Sequence, residues 1–437
     1  MDLTKLSAYD YDLPKELIAQ KAHEPADECK LLYCKVKNND VELRDLIFKD
    51  ILDLIDENDV LFFNNSKVVK ARIWGQMNNS DESDEIRFFI VKDWEERECK
   101  NCEILFLKKI NDKNLTDLTN LPDLTDLNKG KQIDKSPKNF QISIFEALVR
   151  PWKKLKPGTK VKILAGKEYW FEVLDYTDNW RLIKYLWKED IFDVLEKIGK
   201  MPLPPYIEYS KDKEKPYQPV QAKKAGSVAA PTASLHFTSE LFEKLKQKWV
   251  QMLESTLHIW MWTFKTVDVE NITNYDIHEE MVEIPLDIFE KIWKLKQQWK
   301  NIIAVGTTAT RILESLPYLR VEVWRSSEEV WRNIFWDNLV KDISDEEVKK
   351  FIPSQPIISN WQISFDTKLY IYPGFKYKIV DKLITNFHLP KSSLLMLVSA
   401  FMWYENMKKA YQHAIKNNYS FFSFGDAMFI EKDLKSE

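Results

Sequence analysis

Glycine is nearly missing from this chain, and that limits which helix ends and tight turns it can form. Its 437 residues include 9 glycines beside 16 tryptophans, where ordinary composition would supply roughly thirty glycines. The left-handed backbone that closes many helices costs glycine little and strains a bulky residue. Several tryptophans stand where that backbone is expected. Trp249 follows the helical run SELFEKLKQK, and Trp299 follows DIFEKIWKLKQQ ahead of the apolar NIIAV. Asn179-Trp180 stands where Asn-Gly would make a hairpin turn. The pattern suggests that many of these tryptophans are glycine in the cell, read from a UGA codon that a different table translates as tryptophan. A truly tryptophan-rich protein is the alternative.

Composition narrows the class. With 44% hydrophobic and 30% charged residues, the chain can bury a sizeable core and fill two domains. No run reaches the roughly eighteen apolar residues of a membrane span, and the first residues carry aspartates rather than the apolar stretch of a signal peptide. Four cysteines make no disulfide framework, so a reducing cytoplasm is expected. A net charge of −4 leaves any RNA contact to a local basic patch.

The order of patterns suggests an α/β fold: a mixed-sheet main domain built from both chain ends, 1–71 and 190–437, with a small β-barrel domain, 72–189, inserted. Helical patterns begin at KELIAQ and FKDILDLI, and the strand VLFF follows. Short strand-like runs (RIWG, EIRFFIV, CEILFL, FEALVR, KVKILA, YWFEVLDY, RLIKYL) fill the insert, around a polar loop at 109–142. Beyond IFDVLEKIGK and the extended MPLPPYI, helices alternate with the strands ESTLHI, NIIAV, KLYIY and KLITNF. A charged insertion covers 320–358, and SSLLMLVSAFM starts a helix capped by Ser392 or Ser393.

Loops after apolar strands are where open α/β sheets bind ligands. VLFF opens into Asn64, Asn65 and Ser66. NIIAV opens into Gly306, Thr307 and Thr308, where a helix start suits a carboxylate, phosphate or ribose hydroxyl; an ordinary threonine cap is the plain alternative. KLITNF carries Asn386 and opens into His388, and STLHI carries His258 and leads to Thr263. His236 lies in the small-residue run APTASLHF. Four of the six histidines, His236, His258, His278 and His388, occupy such segments, as general bases or as structural hydrogen-bonders. His278 and Glu280, two apart, would share a strand face as an acid/base pair. No HxH or HExxH spacing supports zinc, and Cys99–Cys102 with Cys29 and Cys34 would make only a poor four-cysteine site. For RNA, RPWKKLKPGTKVK gathers Arg150, Lys153, Lys154, Lys156, Lys160 and Lys162 without an acid. Lys223 and Lys224 would join Arg72 and Lys70 only if the fold allowed it.

Nine segments occur in order: YDYDLPKELIAQ, LFFNNSKVVKARIWG, ALVRPWKKLKPG, KIGKMPLPPYI, AGSVAAPTASLHF, TLHIWMWTFKTV, IIAVGTTATRILES, LYIYPGFKYKIVDKLITNFHLPKSSLLMLVSAF and FFSFGDAMFI. Together they resemble the S-adenosylmethionine:tRNA ribosyltransferase-isomerase family, from about Tyr9 to Ile430. The departures fall at Trp152, Trp249, Trp260, Trp262, Trp299 and Trp403, where the family has glycine. The resemblance implies an α/β domain carrying an inserted small barrel. It implies transfer and isomerisation of the ribosyl part of S-adenosylmethionine onto 7-aminomethyl-7-deazaguanine at the tRNA wobble position. Epoxyqueuosine, adenine and methionine are the products; S-adenosylmethionine is a consumed substrate, and neither cofactor nor metal is implied. On this reading His258, His278, Glu280 and His388 are candidates for proton transfer. Asn64, Asn65, His236, Thr263, Thr307, Thr308, Arg311 and Asn386 are candidate substrate anchors. Arg72, Arg150, Lys153, Lys154 and Lys156 are candidate RNA contacts, and a monomer is expected. Two other readings stay open: a non-catalytic RNA binder using the barrel lysines, and a metal-dependent hydrolase built on the four histidines.

Overall fold

A computed structural model describes residues 2–37, 40–75, 86–92, 95–110, 143–177, 180–186, 189–259, 266–320, 323–325, 329–331 and 343–432. The chain forms two compact units, Met1–Lys67 with Leu203–Glu437, and Val68–Pro202. The smaller unit therefore reaches past residue 189. Helix Ile191–Ile198 packs on strand Arg72–Trp74, and Lys200 bridges to Arg72. Thr263, Trp260, Trp262 and nearly all of the 109–142 loop lie outside the described residues, as does much of 320–358.

The larger unit is built on a ten-stranded mixed sheet. Four neighbouring strands run parallel at its centre: Gln251–Leu257, Asp59–Asn64, Asn301–Val305 and Lys382–Asn386. Antiparallel strands flank them, Glu280–Pro285 and Gln362–Thr367 on one side, and Ala427–Lys432 on the other. Asp59–Asn64 is buried along its whole length, as a central parallel strand covered on both faces must be. Val60 and Phe62 enter one apolar cluster, Leu61 and Phe63 another. The two-residue alternation here separates two cores, rather than core from solvent.

Helix Thr307–Ser315 is buried at every residue. Its two charged side chains must therefore find partners inside the protein. Arg311 pairs with Glu280 and donates to the carbonyls of Leu369 at 3.1 Å and Thr367 at 3.4 Å. Glu314 accepts the backbone N–H groups of Lys378, Ile379 and Val380 at 2.8–2.9 Å. Burial holds its carboxyl above the ordinary pKa against the pull of these donors.

The smaller unit is a curled antiparallel sheet of eight strands, running from Arg72–Trp74 at one edge to Glu95–Glu98 at the other. Among the described residues these edges do not pair, so the sheet is a half-barrel and not the closed barrel expected. Glu95–Glu98 is exposed throughout, and a charged edge of this kind resists further pairing. Cys99 and Cys102 are bonded to each other, against the expectation of thiols, while Cys29 and Cys34 are free and buried.

Some predicted elements take another form. KELIAQ winds only as a 3-10 turn at Lys15–Leu17, because Ile18 and Ala19 pair with Phe421. FKDILDLI is likewise a 3-10 helix, Phe48–Asp53. KLYIY is irregular, following strand Gln362–Thr367. Ser392 caps helix Ser393–Met402, its hydroxyl accepting from Leu395 N. No helix among the described residues is long and apolar enough to cross a membrane.

At both helix ends singled out in the sequence the backbone is left-handed, with φ 61° at Trp249 and 59° at Trp299. Each costs an L-residue about 1 kcal/mol. The Asn179-Trp180 turn lies partly outside the described residues.

Glu314→Ala would remove the acceptor of the buried Ile379 and Val380 N–H groups and of the part-buried Lys378 N–H. It is expected to cost about 3 kcal/mol or more, read as a lower urea midpoint at unchanged slope; an unaltered midpoint would show that these bonds do not hold the 378–380 loop.

Candidate functional site

The four parallel strands end level with one another, and their C-terminal ends carry most of the candidate residues. Ser255 is in register with Asn64, and Val305 with Phe63 and Ile384. Asn64 and Asn65, His258, Gly306 to Thr308, and Asn386 to His388 therefore leave one edge of the sheet. Strand Glu280–Pro285 runs the other way, so its start meets the same edge. There His258 N donates to Met281 O at 3.0 Å.

A groove of about 40 Å³ opens among these ends, lined by residues 229–233, Ile259, Gly306, Thr307, Thr308, Thr385, Asn386 and His388. Gly306 precedes the buried helix with φ 93° and offers no side chain as cap. The hydroxyl of Thr308 is buried without a hydrogen-bond partner among the described residues. Uncapped N–H groups and this hydroxyl suit an anionic or hydroxylated ligand.

Beside the groove, His278 Nε2 lies 3.3 Å from Glu280 Oε1, and the other oxygen of Glu280 pairs with Arg311. Glu280 is almost fully buried, whereas His278 keeps about a fifth of its side chain in solvent. The Glu280 carboxyl bridges the His278 ring, at its Nε2, and the Arg311 guanidinium. Arg311 is thus a pillar beneath the pair, its guanidinium engaged by Glu280 and two carbonyls.

The other histidines differ. His258 Nε2 is 3.8 Å from Glu283, which also accepts from Lys224 Nζ at 2.7 Å. His258 and Lys224 hold the Glu283 carboxyl down at about 2. Gly226, at φ 138°, lies against His258 so closely that a Cβ would sit 2.8 Å from Nδ1. His236 sits between Cys29 Sγ at 3.2 Å and the Asn386 amide at 3.1 Å, and burial drops its pKa to about 4. His388 bonds Thr385 Oγ1 at 2.8 Å, and burial drops its pKa to about 3. Both are neutral near pH 7.

Asn64 is committed to backbone, its amide donating to Leu257 O and accepting from Leu257 N and Ser66 N. Asn65 accepts from the Thr256 hydroxyl. A second cavity, of about 290 Å³, is lined by Tyr275, Tyr370, Tyr372 and Phe375 together with Lys350 and Lys368. It lies next in sequence to His278. Among the described residues no three His, Cys, Asp or Glu side chains group as metal ligands.

In the smaller unit Lys153, Lys154 and Lys156 are exposed on the turn after strand Ser143–Arg150. Buried Arg181 shapes that turn, donating to the carbonyls of Leu155 and Trp152 and lying against the Trp152 ring. Arg72 and Arg150 both face Glu103, at 3.0 and 3.7 Å. Lys162 is paired with Glu96 and Glu168, so it leaves the basic run. The second cluster does not form as a set of open charges, since Lys70, Lys223 and Lys224 pair with Glu196, Glu254 and Glu283.

A family model described as queuosine biosynthesis protein matches residues 6–430. The chain belongs to that family. It is 37% identical over 428 residues to an S-adenosylmethionine:tRNA ribosyltransferase-isomerase from Fusobacterium nucleatum, covering 98% of this chain and 97% of the relative. It is also 37% identical to the protein of that name from a Sulfurihydrogenibium species, over 98% and 99% of the two chains. A solved S-adenosylmethionine tRNA ribosyltransferase from Thermotoga maritima aligns over 97% of this chain and 99% of its own, at 28% identity and a TM-score of 0.44.

For this family member, sequence reasoning missed Glu283, Gly226 and Arg181. Only Gly226 carried a signal, as a glycine retained in a chain that has few.

The two neutral histidines set an acid limit. Their folded pKa values, about 4 and 3, lie below the ordinary 6.5, so the unfolded chain binds protons that the folded chain refuses. Stability is whole above pH 6.5 and is lost below it, down to the folded values, with a slope on the order of 2 kcal/mol per pH unit. Urea unfolding at stepped pH checks this, and a midpoint constant from about pH 7 to about pH 5 contradicts it.

Proposed function

We propose that this chain transfers and isomerises the ribosyl moiety of S-adenosylmethionine onto 7-aminomethyl-7-deazaguanine at the tRNA wobble position. Epoxyqueuosine forms, and adenine and methionine leave. The observation that carries this reading is the convergence at one sheet edge of an uncapped helix start, a carboxylate-oriented histidine and two buried neutral histidines. S-adenosylmethionine is a substrate in this scheme, and no resident cofactor takes part.

The chemistry asks for one base, one acid and polar anchors. The sulfonium acidifies the neighbouring 5′ carbon, and a base takes its proton to give a stabilised ylide. Opening of the ribose then expels adenine, which must be protonated as it leaves. The substrate amine, itself deprotonated, attacks the sugar-derived carbon, and ring closure expels methionine. His278, oriented by Glu280 and partly open to solvent, suits the base at Nδ1. His258, next to Glu283, suits the second proton transfer. The Thr307 and Thr308 groups at the helix start suit a ribose hydroxyl or the methionine carboxylate. Asn386 is held for the same purpose by His236, Thr232 and the Phe422 carbonyl. His388, kept neutral, shapes the groove wall.

The aromatic cavity beside His278 suits a base swung out of the anticodon loop. Ring faces stack on any base, and lysines take its phosphates. In the smaller unit the exposed lysines 153, 154 and 156, with Arg150, suit phosphate contacts.

Incubation with S-adenosylmethionine and tRNA bearing the aminomethyl base should release free adenine without methylating the RNA. RNA binding without adenine release would favour the non-catalytic reading, and activity abolished by a chelator would favour the hydrolase. His278→Ala should lower kcat by roughly 10²–10⁴-fold; a change in KM alone removes His278 from the proton path. Tyr275→Ala should raise KM for the tRNA by roughly tenfold or more and leave KM for S-adenosylmethionine unchanged. An effect on the nucleoside alone would reassign the aromatic cavity.

A further inference from the structure

Among the described residues, four tryptophans hold backbone conformations that favour glycine, in three unrelated motifs. Trp249 and Trp299 each follow the C-cap of a helix, Ser239–Gln247 and Leu286–Gln297. Both ends make the paired bonds of a left-handed helix stop. Trp249 N donates to Lys246 O at 2.9 Å and Val250 N to Leu245 O at 3.2 Å; Trp299 N donates to Lys296 O at 3.1 Å and Lys300 N to Leu295 O at 3.0 Å. Glycine is the usual residue there and asparagine the next. Helix Tyr404–Lys416 ends with the same pair of bonds, and there the position is filled by Asn418 at φ 54°.

Trp361 belongs to a different motif. Asn360 and Trp361, at φ 50° and 59°, form the two-residue turn between strands Ile357–Ser359 and Gln362–Thr367, with Ser359 opposite Gln362. Positive φ at both positions defines the type I′ turn, whose usual sequence is Asn-Gly. The third motif is the reversal between helices Ser393–Met402 and Tyr404–Lys416. Trp403 makes it alone, with φ 71° and ψ 145°, close to a region that only glycine populates.

Burial does not offset this strain. The four side chains are 80%, 91%, 71% and 54% exposed, in chain order. Trp152 supplies the contrast: its φ is not positive, and its ring lies 3.2 Å from the Arg181 guanidinium. Left-handed backbone thus marks particular tryptophans and passes over Trp152.

We propose that positions 249, 299, 361 and 403 are glycine in the protein the cell makes, each read from a UGA codon that its own translation machinery decodes as glycine. Peptide mass spectrometry of the protein purified from its native source tests this. Each of the four peptides should be lighter by one methyleneindole unit than the tryptophan sequence requires, and tryptophan at these positions overturns the proposal. The gene gives a second reading: UGA at all four codons is expected, and UGG at any of them removes that position. A third measurement isolates the backbone argument. In protein made with tryptophan at these positions, W249G, W299G, W361G and W403G should each raise Tm, by about 2 °C, whereas W152G should lower it. A fall in Tm in the four variants would overturn the claim of strain.

Discussion

A buried ion pair, Arg311 with Glu280, ties one edge of the larger unit's sheet together. Enclosed charges cost solvation, and losing one partner leaves the other uncompensated at a cost of about 3–5 kcal/mol. Here the pair joins elements that share no backbone hydrogen bonds. Arg311 sits in the fully buried helix whose start lines the groove, while Glu280 opens the strand that orients His278. The two carbonyls that Arg311 also binds belong to Thr367 and Leu369, so the outer antiparallel strands are pinned to the same point. Helix start, imidazole and sheet edge therefore keep one mutual geometry.

Much of this was legible because parallel strands buried on both faces read as unbroken apolar runs, and ligand loops follow such runs. VLFF, NIIAV and KLITNF are of this kind, and the residues after them meet. The spacing of His278 and Glu280 does bring the two side chains to 3.3 Å, although the strand begins only at Glu280. Hydrogen-bonding capacity, by contrast, cannot be read from residue type. Asn64 and Arg311 look like ligand anchors in sequence, yet backbone and Glu280 engage them. His236 and His388 look like bases, yet burial lowers their pKa to about 4 and about 3 and makes them weak proton acceptors. Glu283 was invisible for the complementary reason, since an exposed-looking glutamate on a strand acquires meaning only from His258 and Lys224 across the sheet.

The tryptophans divide along the same line. At Trp249 and Trp299 the preceding helical run has a visible end, so the demand on the next residue can be inferred from pattern. Trp361 sits after a three-residue strand too short to register, and Trp403 between two helices that read as nearly continuous. Torsion angles expose both positions, of which only Trp403 was marked beforehand, by the family resemblance. Closure of the smaller unit was likewise beyond sequence, because nothing in EERE says whether a charged strand meets a neighbour or ends a sheet.

The groove is composed of residues 229–233, Ile259, Gly306, Thr307, Thr308, Thr385, Asn386 and His388. Segments that stretch from Ala229 to His388 must all be docked before this groove exists. Such non-local closure is slow in folding, and it makes competence an all-or-none property of the finished unit. A nascent chain that lacks strand Lys382–Asn386 lacks the groove wall made by Thr385, Asn386 and His388.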